Sequence, residues 1–404
     1  MRIYVHDYAG HPFQVQLSRA LAARGHVVRH GYSATNLTPQ GALARKPSDL
    51  ERFEPDPIVL PSPVDKRARS WRGLVARRQA EAAYGRLLVQ HIDAFEPDTV
   101  LAANTPIDAL SPVHAWARQR DSDDKPVRIV NWLQDLLSVG TDRVLRKRLP
   151  LVGGLVGRRY LAAERRMLRE ADAVVIITDD FRPILDRWGL PADRVHTVEN
   201  WAPLDEMPTR PRDNDWAREH GLADRRVVLY AGTLGMKHNP ALLLSVARHL
   251  DATDPEARMV VVSEGAGADW LHEHGADLST LCLLPFQPFN RLPDVHASAD
   301  ILAAVLEPDA GVFSVPSKVL SYLCAARPVL LAVPPENLVA RIVTRERAGV
   351  VVPPSAETAF AREAAHLLED DPRRASMSRH ARVYAEQTFD IERITDRFEA
   401  VLMP

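Results

Sequence analysis

The chain has 404 residues, with 51 Lys+Arg against 53 Asp+Glu, a formal charge of −2 and a pI near 6.7. One hydrophobic core rarely grows past about 250–300 residues, so this length implies two domains, and 46% apolar with 26% charged residues excludes a disordered or fibrous chain. No apolar run approaches the roughly 18 residues of a membrane span, Asp7 comes too early for a secretory leader, and Cys282 and Cys324, both in apolar settings, suggest buried thiols in a reducing, cytoplasmic compartment.

In chain order, short β-branched runs alternate with longer amphipathic stretches, the rhythm of parallel βαβ units. The first half predicts strands over Arg2–His6, Val27–Tyr32, Thr99–Ala103, Arg128–Leu133, Ala173–Thr178 and Val195–Glu199, with a helix over Phe13–Arg24 ending at Gly25. The Pro-rich piece Pro203–Pro211 reads as a linker, because proline continues neither a helix nor a strand ladder. A second alternation follows, with strands over Val227–Ala231, Met259–Ser263, Leu281–Pro285, Ile301–Leu306, Val329–Val333 and Val350–Val352. Helices start near Asn239, Ala266, Ser317, Asn337 and Glu357, and Arg373–Gln387 and Ile391–Leu402 form a helical tail. The fold class is therefore α/β: two doubly wound domains, with ligands expected outside the carboxyl ends of the sheets.

The near-neutral total hides two uneven halves. Residues 1–200 carry a net +6 and the remainder a net −8. The basic set is 45 Arg and only 6 Lys, and after Lys147 only Lys237 and Lys318 remain. Both fall at the same topological position, a strand-to-helix turn. In Tyr230-Ala231-Gly232-Thr233-Leu234-Gly235-Met236-Lys237-His238-Asn239-Pro240, two glycines permit a tight turn and Asn239-Pro240 forms an N-cap and first helical residue. Free N–H groups and the helix dipole attract phosphate oxygens there, and Lys237 adds a full charge. An ordinary turn with a solvated lysine fits the same letters. The second segment, Leu306 to Tyr322, is apolar, contains Gly311 and Pro316, and places Ser317 as N-cap beside Lys318. An ammonium serves phosphate as a compact point charge, which favours a phosphate role for the pair.

With these residues in view the whole chain resembles a retaining glycosyltransferase of the GT-B fold, in the family-4 group, close to bacterial polysaccharide and colanic-acid-type enzymes. The resemblance is carried by Asn131-Trp132-Leu133-Gln134-Asp135, Val198-Glu199-Asn200-Trp201-Ala202-Pro203, the Gly232–Asn239 turn, and Pro316-Ser317-Lys318-Val319-Leu320-Ser321-Tyr322-Leu323. Ala325-Ala326-Arg327-Pro328-Val329-Leu330 matches the family's entry into a strand, with Ala326 where glycine is usual. It implies two Rossmann-like domains: an acceptor-binding domain at 1–205, a nucleotide-sugar-binding domain at 206–388, and a helix at 389–404 packing back on the first.

Residue by residue, the resemblance makes Gly232, Thr233, Lys237, Ser317 and Lys318 donor-diphosphate contacts and puts Phe286 and Gln287 near the base. The N-terminal glycine loop maps to Ala9-Gly10-His11, facing sugar and acceptor; Gln134 stands where many relatives have histidine, before Asp135. Many relatives carry two glutamates with seven residues between them. Here Ser321 falls at the second position and Phe313 at the first, which leaves Glu307 or Asp309 for the sugar, in the loop that includes Gly311. Lys237, Lys318, Glu307 and Asp135 are thus the candidate catalytic residues, with Gly10, His11 and Gln134 on the acceptor side.

The resemblance implies transfer from a UDP- or GDP-linked sugar to a lipid-linked, polysaccharide or small-molecule acceptor, with no metal, no cofactor beyond the donor itself, and no nucleic-acid partner. Breaking a sugar–phosphate bond builds charge on the diphosphate, so fixed positive donors carry the rate. Retaining members react on one face and need no side-chain nucleophile, the departing phosphate helping to deprotonate the acceptor. Basic stretches at Lys66–Arg78 and Arg146–Tyr160, interleaved with apolar residues, suit a peripheral position on an anionic inner membrane face; a solvated arginine-rich surface fits them equally. Asp213-Asn214-Asp215 has the spacing of a metal-binding pair but precedes Trp216 in the linker, where helix capping is expected. A nucleotide-sugar epimerase of the same fold, and a silent sugar-nucleotide sensor or pseudo-transferase, remain open at this stage.

Overall fold

The computed structural model of the chain describes residues 1–35, 40–60, 71–148, 152–235, 237–309 and 314–403. It divides into two compact units, Met1–Glu199 with Ile391–Pro404, and Asn200–Asp390.

The first unit runs β1 (Arg2–Asp7), α1 (Pro12–Ala23), β2 (Val27–Ser33), β3 (Phe53–Ile58), α2 (Trp71–Phe95), β4 (Thr99–Ala103), α3 (Ile107–Ser122), β5 (Arg128–Leu133), α4 (Leu137–Arg148), α5 (Gly153–Glu170), β6 (Ala173–Ile176), α6 (Arg182–Arg187) and β7 (Val195–Thr197). The sheet is parallel, in the order β3-β2-β1-β4-β5-β6-β7, so the chain reverses its direction of winding between β1 and β4. The sequence reading missed β3. Its two prolines, Pro55 and Pro57, argue against a strand, but β3 lies at the sheet edge, where a missing N–H is tolerated.

The second unit runs α7 (Asp215–Glu219), β8 (Val227–Ala231), α8 (Pro240–Thr253), β9 (Arg258–Val262), α9 (Ala266–His274), β10 (Leu281–Leu284), α10 (Leu292–Ala297), β11 (Ile301–Val305), α11 (Lys318–Cys324), β12 (Val329–Ala332), α12 (Leu338–Arg345), β13 (Gly349–Val352), α13 (Glu357–Glu369) and α14 (Asp371–Thr388). Its parallel sheet has the order β10-β9-β8-β11-β12-β13. Leu242, Leu243, Val246 and Leu250 of α8 pack with Phe360, Ala364 and Leu367 of α13 against Val228, Tyr230 and Met259, and the alternate residues Val227, Leu229 and Ala231 are buried too, so β8 is apolar on both faces. Asn214 caps α7 by accepting the Ala217 N–H at 3.0 Å, the capping role expected of that acidic cluster. Cys324 is buried, and burial pushes its thiol up to about 12. Cys282 is only half-buried, unlike the sequence expectation, because β10 is the sheet edge and lacks a neighbour on one side.

The last helix, α15 (Ile391–Leu402), belongs to the first unit. Its amphipathic face buries Ile394, Phe398, Val401 and Leu402. The Phe398 ring lies 4.6 Å from that of Trp132 on β5, which in turn meets Phe13 of α1 edge-on at 5.7 Å. Outside this apolar contact the Arg24 guanidinium bonds Glu392, Asp396 and Glu399 at 2.9, 2.5 and 2.6 Å. Two of those three carboxylates are largely exposed, so the ring contact supplies more of the stability than the ion pairs. Phe398→Ala should cost about 3–5 kcal/mol, read as a lower urea midpoint, whereas Arg24→Met should cost about 1 kcal/mol. A smaller loss for the phenylalanine than for the arginine would contradict this ranking.

Candidate functional site

The predicted site residues of the second unit gather at the carboxyl end of its sheet. Gly232 follows β8 with φ +126°, a backbone state that L side chains rarely adopt. A Cβ there would stand 3.1 Å from the Lys318 Nζ and Cε. Glycine at this position therefore lets the lysine stem lie against the turn. The Lys318 ammonium donates to the Tyr230 hydroxyl and sits 3.6 Å from the centroid of the same ring. Tyr230 passes the bond on to the Thr233 carbonyl at 2.8 Å. Lys237 donates to Ser314 Oγ at 2.6 Å, and its carbonyl accepts the Glu307 N–H at 2.9 Å, tying the loop after β11 to the turn after β8. Ser314 is fixed from behind by Asn337, whose amide donates to its carbonyl at 2.9 Å.

Electrostatics marks the same place. Burial, and then the charge of Lys237, hold the Lys318 amine well below its ordinary value. His238 is buried beside them, and burial together with both ammoniums pushes it down to about 2, so it is neutral and accepts the Gly235 N–H at 3.0 Å. Positive charge is thus concentrated at the turn that precedes α8, whose N-cap is Asn239, accepting from Ala241 at 3.1 Å.

Not every predicted contact is placed as expected. Ser317 stands at the N-cap position of α11, but its backbone is already helical and its hydroxyl makes no capping bond. Ser321 lies half-buried on α11. Gln287 is held by the Trp216 indole N–H at 3.0 Å and bonds the Pro285 carbonyl, while the Phe286 N–H is taken by the Glu264 carboxylate at 3.2 Å. Asp309 is exposed, and Gly311 and Phe313 lie outside the described residues. The sequence reading missed Tyr230, His238, Ser314, Glu264 and Ser263, whose buried hydroxyl has no partner among the described residues. Only Tyr230 and His238 carried a signal, their adjacency to the lysine turn.

The first unit has a second cluster at the carboxyl ends of β1, β4 and β5. Asp7 is fully buried and accepts from the Ala9 N–H at 3.1 Å, from the His11 N–H, and from His11 Nδ1 at 3.0 Å. With its nitrogen turned toward Asp7, the Gln14 amide donates to it at 2.8 Å. Burial works against the carboxylate, but His11 outweighs it and holds Asp7 below its usual range. Gly10, at φ +74°, makes the turn possible; a Cβ would meet Leu43 at 2.7 Å. His6 is buried, pushed down to about 3 by desolvation, and links Thr105 at 2.6 Å to Tyr84 at 2.9 Å, which fixes the loop after β4 beside β1. Gln134 and Asp135 are half-buried and line a cavity with Asn104, Thr105 and Glu164. Burial lifts Glu164 to about 7 although Ser138 bonds it through both N–H and hydroxyl.

Two family models match the chain: a glycosyl transferase 4-like domain over residues 11–201 and a glycosyl transferases group 1 domain over 213–384. An alpha-D-kanosaminyltransferase of Streptomyces kanamyceticus is 25% identical over 226 residues, a match spanning 54% of this chain and 57% of that relative. Among solved structures, HepE of Anabaena with UDP and glucose is 16% identical, covers 100% of this chain and 99% of its own, and superposes with a TM-score of 0.72. WaaG, a glycosyltransferase of lipopolysaccharide biosynthesis, is 15% identical over 100% of both chains at 0.69. Sucrose-phosphate synthase of Thermosynechococcus elongatus is 14% identical, covering 99% of this chain and 98% of its own, at 0.72. At these identities the structures show the fold, which is GT-B.

A diphosphate beside Lys318 would draw the amine back up toward its ordinary value. Binding of UDP should then take up a proton between the lowered value of the amine and its ordinary 10.5, and affinity should fall as pH rises through that window. Calorimetry in two buffers of different ionisation enthalpy reads the uptake directly. Equal heats in both would contradict it.

Proposed function

Since the chain belongs to the family-4 glycosyltransferases of GT-B fold, we propose that it transfers a sugar from a UDP- or GDP-linked donor to a hydroxyl of a glycan, lipid-linked or small-molecule acceptor. The observation that carries this reading is the placement of both lysines of the acidic half at one sheet edge, with Lys237 close enough to depress Lys318. As the bond from the anomeric carbon to the phosphate oxygen breaks, its electron pair passes to the diphosphate. Ammonium groups already fixed there stabilise that charge without reorganisation. The acceptor oxygen bonds the same carbon on the face the diphosphate leaves, so configuration is retained and no side-chain nucleophile forms. In this reading charge supplied by lysine does the work that a metal ion does elsewhere, and Glu307, whose N–H bonds the Lys237 carbonyl, is the carboxylate we assign to the sugar hydroxyls.

The acceptor end falls to the first unit, with Gly10, His11, Gln134 and Asp135. The HepE structure holds UDP with glucose, and the kanosaminyltransferase is named for an amino-sugar transfer, which support a UDP-hexose donor class. An epimerase would need acid and base carboxylates around the sugar, and both family models that match the chain are glycosyl transferase models.

A lipid-linked acceptor fits the surface of α5. Arg158, Arg159, Arg165, Arg166 and Arg169 are exposed along it, and Leu155, 60% exposed, lies on the same helix. This pattern suits peripheral attachment to the cytoplasmic leaflet, at about 1 kcal/mol per cation. Lys66–Ser70 and Leu149–Leu151 of the basic stretches lie outside the described residues. Co-sedimentation with phosphatidylglycerol vesicles at low salt, and none with neutral vesicles, is the expected outcome; no binding to either removes the membrane from the proposal.

Turnover itself is tested by incubating the protein with a panel of nucleotide sugars and measuring released nucleoside diphosphate. Lys237→Ala and Lys318→Ala should each lower kcat by about 10²–10³-fold, with the circular dichroism spectrum unchanged. Unchanged turnover in both would remove the phosphate argument.

A further inference from the structure

We propose that His238 is a third, uncharged contact to the donor diphosphate, its Nε2–H donating to a phosphate oxygen alongside Lys237 and Lys318. The inference rests on the diphosphate reading of the lysine turn, adds a residue outside the lysine pair, and concerns the second unit alone.

The ring is clasped by its own turn. Its Nδ1 accepts the Gly235 N–H at 3.0 Å, while the His238 backbone N–H returns a bond to the Gly235 carbonyl at 3.1 Å. A backbone N–H can only donate, so Nδ1 carries no proton, and the neutral ring holds its proton on Nε2. Swinging the side chain away would break the Gly235 bond. On another side Tyr230 meets the ring edge-on, with the centroids 6.4 Å apart. Asn239 follows directly as N-cap of α8 and Pro240 as the first helical residue, so the imidazole stands at a helix start, where an anion is favoured.

His238 is only 9% exposed, yet Nε2 makes no hydrogen bond among the described residues. A donor left unpaired at this depth is costly, and a ligand oxygen would satisfy it. The ammoniums of Lys237 and Lys318 both act on the ring, so an anion drawn to the two lysines arrives beside it. Burial, and then the field of those ammoniums, pushes the imidazole down to about 2, which keeps a second proton off it. The ring therefore offers a hydrogen bond without a third positive charge. That division of labour suits the departure of a diphosphate: two cations supply the field, and a fixed neutral donor bonds more strongly as charge develops on the oxygens, with no reorganisation.

The two ring nitrogens can be tested apart. In His238→Asn the amide oxygen takes the place of Nδ1 and keeps the Gly235 bond, while the Nε2 donor is lost. In His238→Gln the amide nitrogen reaches the place of Nε2, and the Gly235 bond is lost instead. Calorimetric titration of the full chain with UDP and with GDP should find His238→Asn weakened about 10–100-fold and His238→Gln within about threefold of the wild type. Long-range proton–nitrogen NMR of the wild type should show Nδ1 without a proton and an Nε2–H resonance that moves when the nucleotide binds. The reverse ranking, with His238→Gln weakened and His238→Asn unaffected, makes the ring a brace for the turn and overturns the proposal. A proton on Nδ1, or an Nε2 resonance that the nucleotide leaves in place, overturns it equally, and these two readouts decide the matter where both variants unfold or weaken alike. Wild-type protein that binds neither UDP nor GDP removes the diphosphate reading itself, whereas nucleotide binding retained in full by His238→Asn removes this proposal alone.

Discussion

The proposed chemistry depends on a lysine held partly out of water with no ion pair to a carboxylate among the described residues. Lys318 is kept there by a tyrosine face and hydroxyl on one side and a glycine turn on the other. A carboxylate partner would make the lysine comfortable and useless for phosphate, because a ligand would have to break that ion pair first. Tyr230 offers a bond and a π-face but no charge, so the positive field stays available. Lys237 raises the field further, and the neutral His238 beneath them fixes the turn without adding a proton that would repel both. The sequence places these groups by a simple device: each lysine follows a buried parallel strand, β8 or β11, whose carboxyl end must lie at the same sheet edge.

A different arrangement serves the first unit. There the charge is negative and fully enclosed, Asp7 being satisfied by backbone and side-chain donors within its own turn. Its value lies in what it orients. Nearby, the bond from His6 to Thr105 and the bonds from Ser138 to Glu164 steady the loops after β4 and β5, so the residues lining this corner rest on rigid strands and helix starts. The returning helix α15 underlies the same strands through Phe398 and Trp132, so packing far along the chain supports the sheet that carries the corner.

Much of this was legible in the sequence because buried parallel strands are short apolar runs that hardly resemble anything else. Among the described residues, twelve of thirteen strands agree with the sequence pattern to within two residues at either end; β3 escapes it because two prolines count against a strand unless its edge position is known. The scarcity of lysine singled out Lys237 and Lys318 before any geometry. What stayed hidden depends on contacts between distant positions. Nothing in the spacing says that Tyr230 lies under Lys318, that Glu264 reaches Phe286, or that an acid in an arginine-rich helix, Glu164, is buried and lifted to about 7. The Ser317 hydroxyl looked like a cap because serine usually is one, and the local backbone, already helical, gave it no donor to meet. Asp7 and His11, four residues apart across a glycine turn, were readable as a pair only once the turn was known to fold the second onto the first.

The account stands on the two lysines sharing one diphosphate. A crystal structure of the protein with UDP tests this most directly. Both Nζ atoms should leave their present partners, Ser314 and Tyr230, or bond alongside them, to stand within about 3 Å of phosphate oxygens. A nucleotide bound elsewhere, or phosphates held without either lysine, would contradict it.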